Sequence, residues 1–110
     1  QDIFCFHMTL VPSINLFYNA PLLVYVTGPR KHHLLDVDSA LTVAYFMFSA
    51  TDRGLGTCWI ALGANIRDPQ ILHEMGITDD QRIVAPVIVG YPTSIPEPSE
   101  RHAPDIVMII

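Results

Sequence analysis

Apolar runs alternate with polar, turn-forming breaks along this chain. "NAPLLVYVTG", Asn19 to Gly28, is rich in β-branched and aromatic residues and is bounded by Pro21 and Gly28, which predicts a buried strand. "PRKHHLLD", Pro29 to Asp36, reads as a polar loop. A helix is expected from Asp38, whose carboxylate can accept from the free N–H groups of a first turn. Its body, "SALTVAYFMFSATDR", sets Ala40, Ala44 and Ala50 among Leu41, Phe46, Met47 and Phe48. Such a helix is apolar nearly all round and is expected to be buried on most faces. Gly54 stands where a left-handed residue would end it. "TCWIALG", 57–63, predicts a short strand, and "RDPQILHEMG" a second helix capped by Asp68, with Pro69 in its first turn and Gly76 at its close. "QRIVAPVIVGYP", Gln81 to Pro92, predicts a strand in which Pro86 implies an edge position or a bulge. Pro92, Pro96, Pro98 and Pro104 then favour an extended arm, whose apolar end "DIVMII" must pack somewhere. Residues 1–18 are apolar without clear periodicity, and Pro12 would break any long helix there. Strand, helix, strand, helix, strand and arm make one α+β or α/β domain over residues 1–110.

Composition sharpens this picture. Half of the 110 residues are hydrophobic, and the mean hydropathy is +0.34. A domain this small leaves apolar surface outside, which favours a second copy as partner. The formal charge of −5 and six basic residues scattered along the chain argue against nucleic acid. No apolar run is long enough to span a bilayer, and no signal peptide is visible, so no membrane and a cytoplasmic location are expected. Cys5, His7, His32, His33 and His102 lack the spaced pairs that zinc needs, so no metal is expected. Cys58, with no base beside it in sequence, reads as a small buried hydrophobe.

The stretch "DRGLGTCWIALG", Asp52 to Gly63, holds three glycines and the only tryptophan. Gly54 serves as helix stop, and Gly56 lets the next strand leave close to the helix. Ala61 and Gly63 are small enough for a flat ligand to approach the backbone. Trp59 fits a core position better than a stacking one. Arg101, among Glu97, Glu100, His102 and Asp105, is either a solvated charge or a forked donor for phosphate. No Gly-x-Gly-x-x-Gly fingerprint or phosphate loop is present.

"NAPLLVYV", Asp38, the small–large helix ending in "GLGTCWI", "ILHEMGI", "VAPVIVGYP" and "PSERHAPDIV" follow in an order that resembles the C-terminal half of the nitroreductase family of flavin enzymes, from about Asn19 to Val107. The resemblance implies an α+β, three-layer sandwich with a mainly antiparallel sheet, incomplete at the N-terminus, and an intertwined homodimer with FMN at its interface. It implies that Trp59, Ile60, Ala61, Leu62 and Gly63 run past the flavin ring with their backbone and that Arg101 reaches the FMN phosphate. The apolar segment after Arg101 would embrace the other subunit. The implied activity passes electrons from NAD(P)H through FMN to a nitro compound, quinone or similar small acceptor. The family's Arg-rich opening motif has no counterpart here, residues 1–18 containing no arginine. The alternative is therefore a truncated, non-catalytic dimerisation protein that keeps the scaffold.

Overall fold

A computed structural model describes residues 18–110 and, as a backbone strand, residues 5–9. The expectation attached to Pro12 lies outside the described residues. Four strands, β1 (Cys5–Thr9), β2 (Leu22–Pro29), β3 (Gly56–Trp59) and β4 (Gln81–Gly90), form one antiparallel sheet in the order β1-β2-β4-β3. Helix α1 (Leu35–Asp52) lies on one face. A 3-10 turn (Ala61–Ala64) and helix α2 (Pro69–Glu74) lie on the other. These three layers are the α+β sandwich that the family resemblance implies.

The sheet's two faces carry separate cores. Leu23, Tyr25 and Ile83 meet Ile60 and Ile77 on the α2 side. Val26, Ala85 and Val87 meet Val43 of α1 on the other side, with Phe46, Met47 and Trp59 packed around them. Ile83 and Ala85 have the same parity, yet they face opposite layers. The cause is in the register: Val26 pairs with Ala85 but Thr27 with Ile83, so β4 carries one extra residue at Val84. Such a bulge re-phases every residue beyond it. Without it, Ile83 would point at α1 and leave the α2 core one side chain short.

α1 begins at Leu35, three residues before the expected cap. Leu34 occupies the cap position and no side chain caps the helix. Asp38 instead accepts from His32 Nε2 at 2.9 Å, while Asp36 pairs with Arg82 Nη2 at 2.8 Å. Leu35 is fully buried, so its burial anchors the first turn, and two carboxylates there complement the positive end of the helix. The other end follows expectation: Gly54 has φ +75°. Its N–H donates to Thr51 O and that of Leu55 to Ala50 O, each at 3.0 Å, the paired bonds of a left-handed helix stop.

The expectation that α1 is buried on most faces is not met within one chain. Leu35, Ser39, Val43 and Ala50 are buried along one stripe. Val37, Leu41, Tyr45 and Phe48 are exposed, and at 3.6 residues per turn they fall on the opposite side. α2 behaves as its sequence predicts. Asp68 Oδ1 accepts from Gln70 N at 2.9 Å and Ile71 N at 3.4 Å, and Gly76 closes it at φ +74°. β4 is a central strand, not an edge, so for Pro86 the edge alternative is corrected and the bulge alternative lies two residues away at Val84. The arm after Gly90 has no regular secondary structure, and Ile106 to Ile110 are exposed.

Candidate functional site

Pro86 decides where β3 stops. The ladder runs from Gly56–Gly90 to Trp59–Val87. The next pair would be Ile60 with Pro86, exchanging two hydrogen bonds. One of them forms: Ile60 N–H donates to Pro86 O at 2.8 Å. The reverse bond cannot form, because proline has no N–H. Ile60 O is thus left without a ladder donor, and it accepts instead from Gly63 N–H at 3.0 Å. That bond closes the 3-10 turn Ala61–Ala64, and Asn65 N–H to Leu62 O at 3.3 Å follows it. The expected strand over 57–63 is therefore corrected: it is strand only to Trp59 and turn thereafter. A proline in a central strand is tolerated here because its ring nitrogen faces a neighbour that has already ended.

This break disposes the five predicted residues in distinct ways. Trp59 is half-buried and packs on the α1-side core, as the core reading of it expects. Ile60 is buried in the α2-side core. Gly63 is buried beneath the turn, while Ala61 and Leu62 are exposed on its outside. The N–H groups of Ala61 and Leu62 open the turn and have no backbone acceptor among the described residues. Two bare donors beside a small side chain form a shallow cradle for a group with hydrogen-bond acceptors along its edge. β3 is an edge strand, so its outer backbone groups extend the same polar margin.

Cys58 is exposed, which overturns its reading as a buried residue. Alternation on β3 turns Trp59 inward and Cys58 outward, into a hollow of about 320 Å³ with Tyr18, Pro21 and Tyr91. Arg101 stands exposed on the arm and forms no hydrogen bond or ion pair with a described residue. Trp59 to Gly63 thus run consecutively through the end of β3 and the turn. Tyr25, opposite Pro86 in β2, is buried, and burial pushes its phenol pKa above the usual 10.0. No helix among the described residues is long and apolar enough to cross a membrane. Sequence reasoning missed the role of Pro86, although a proline inside an apolar β run was its signal.

A model of the nitroreductase family matches residues 13–91. No curated protein matches the chain. Among solved structures, the chain is similar to a Bacteroides fragilis nitroreductase with bound FMN, at TM-score 0.80 and 19% identity over 97% of this chain and 76% of that one. An FMN-dependent nitroreductase from Clostridium difficile aligns at TM-score 0.71 and 19% identity, over 89% of this chain and 68% of its own. An FMN- and NADPH-dependent nitroreductase from a Sphigopyxis strain aligns at TM-score 0.64 and 18% identity, over 77% of this chain but only 42% of its own. With the family model covering well over half of its residues and the sandwich present around the Pro86 break, the chain belongs to the nitroreductase family.

Proposed function

We propose that the chain forms the FMN-binding core of an oxidoreductase that passes electrons from NAD(P)H to a nitro compound, quinone or similar small acceptor. The observation that carries this is the turn released by Pro86, which leaves the N–H groups of Ala61 and Leu62 bare beside a small side chain. The flavin ring edge carries carbonyl oxygens and ring nitrogens that accept hydrogen bonds, so the donors fit it. In this reading Trp59, Ile60, Ala61, Leu62 and Gly63 hold the ring by backbone, Gly63 keeping the space beneath the turn clear. Arg101 supplies a forked cation for the phosphate. When bound, the flavin supplies the redox chemistry; the chain's own residues position it. The FMN bound by the Bacteroides fragilis protein, and the FMN and NADPH dependence of the Sphigopyxis one, support the reading.

The working unit in this proposal is a cytoplasmic homodimer. Val37, Leu41, Tyr45 and Phe48 form an exposed apolar stripe on α1, and the arm ends in five exposed apolar residues, Ile106 to Ile110. A second copy would cover both.

Titration of FMN into the chain, followed by quenching of flavin fluorescence, tests the assignment. Saturable binding is expected, with bleaching of the bound flavin by NADH or NADPH and its recovery on adding a nitroaromatic. Gly63→Val is expected to weaken FMN by about tenfold through steric exclusion. A chain that dimerises yet stays colourless with excess FMN would overturn the proposal in favour of a non-catalytic scaffold.

A further inference from the structure

The six basic residues are dispersed in sequence, but the fold gathers half of them. Arg30, Arg67 and Arg82 line one hollow of about 380 Å³, between the far end of the β2–β4 pair and the segment leading into α2. No carboxylate lines it. Its apolar wall includes Ile66, Leu72 and Ile77. The hollow meets the 3-10 turn only at its last residue, Ala64, and includes none of residues 59–63 assigned to the flavin, so it stands independently of that reading. We propose that it binds a small organic anion, a carboxylate or phosphate monoester carried on an apolar group.

The hydrogen bonds of the three arginines leave donors free for such a ligand. Arg67 makes no hydrogen bond or ion pair with a described residue. Arg30 uses its Nε on Asp79 O at 2.9 Å and has no carboxylate partner. Arg82 is paired at one terminal nitrogen with Asp36, whose side chain is 72% exposed. A pair so exposed is screened by water and contributes little. Most nearby carboxylates are committed elsewhere: Asp68 caps α2, and Asp80 accepts from the Thr78 hydroxyl. Asp79, on an adjoining hollow that also includes Arg67, is the opposing charge that remains. Three like charges around one cavity repel one another, and an oxyanion relieves that repulsion while taking forked donors. The apolar wall then favours an anion with a hydrocarbon body over a bare ion. The volume falls within the range of small-molecule sites, which begins at about 300 Å³.

The test titrates phenyl phosphate, benzoate and inorganic phosphate into the full chain and follows backbone amide signals by NMR. Saturable shifts of Ala64 to Arg67 and Gln81 to Ile83 are expected with the two organic anions. Phenyl phosphate should bind at least about threefold tighter than inorganic phosphate, through the apolar wall. Arg67→Gln should weaken it by about tenfold, and Arg67→Lys by less, since lysine keeps the charge but loses the fork. Arg53→Gln, a surface change at the end of α1, should leave binding unaltered and controls for net charge. Arg30, Arg53 and Arg67 are all exposed, so the variants are expected to fold, and their undisturbed amide spectra will show it. The proposal is overturned if no anion gives saturable shifts up to about 10 mM. It is equally overturned if Arg67→Gln and Arg30→Gln bind as well as the parent, or if inorganic phosphate matches phenyl phosphate.

Discussion

Two apolar runs of this chain, "LLVYV" at 22–26 and "IVMII" at 106–110, have opposite fates. Leu23, Val24, Tyr25 and Val26 are each exposed by 3% or less, whereas Val107 is exposed by 95%. Hydropathy does not separate them; their neighbours do. β2 has a hydrogen-bonded strand on each edge and a layer against each face. The arm follows Pro96, Pro98 and Pro104, which lack the N–H groups a ladder requires, and no layer among the described residues covers its exposed end. An apolar run therefore shows that cover is needed and says nothing of which chain provides it. The outer stripe of α1 repeats the arm's situation on a helix.

The largest expected effect breaks this contrast by placing a charge in each run. Val26→Asp buries an unpaired carboxylate between β2 and α1, and is expected to cost about 4 kcal/mol or more in urea unfolding. Ile109→Asp should change the stability of the monomer by no more than about 0.5 kcal/mol, as exposed substitutions do. The same Ile109→Asp change should shift sedimentation toward the monomer if a second copy covers the arm. Equal destabilisation by both variants in dilute, monomeric protein would show that the arm packs on its own chain after all.

Short-range rules made much of the fold legible. The strand over 22–29, the stop at Gly54 and the Asp68 cap each depend on residues within a few positions, and each stands close to where the sequence put it. The start of α1 escaped because the burial of Leu35, the His32–Asp38 contact and the Asp36–Arg82 pair are tertiary, and only they draw the helix back past Asp38. Cys58 escaped because alternation gave one inward and one outward position without saying which was Cys58. The stretch 59–63 is proposed as a site through family resemblance. Its shape was not legible, because the turn depends on a missing N–H at Pro86, more than twenty residues on. The three arginines escaped for the same reason: positions 30, 67 and 82 meet only after the sheet has formed.

That dependence can be tested by restoring the donor. Pro86→Val returns an N–H opposite Ile60 O, where it would compete with Gly63 N–H and let β3 continue. Val also suits a buried central strand, so stability should change by no more than about 1 kcal/mol. Hydrogen exchange should show new protection at position 86 and lost protection at Gly63. FMN affinity should fall by about tenfold as the turn flattens. Unchanged exchange across 60–63 would mean that the turn is set by its own residues and that Pro86 is incidental.

The smallest effect concerns the covered run alone, and it appears only at alkaline pH. Tyr25 is buried, and desolvation raises its pKa in the folded chain above the 10.0 of an exposed phenol. Between those two values the unfolded chain has lost the phenolic proton while the folded chain still holds it. The unfolded state then binds fewer protons, so stability falls as pH rises through that window. Below pH 10.0 both states are protonated and this contribution is fully present. Tyr25→Phe has no proton to lose, so its urea midpoint should fall less than the parent's between about pH 9 and about pH 11. Any constant offset below pH 9 would report packing, and only the difference in slope reports the buried phenol. Parallel slopes across that window would mean that water reaches Tyr25, and that the α2-side layer covers this part of β2 less completely than the α1 side covers Val26.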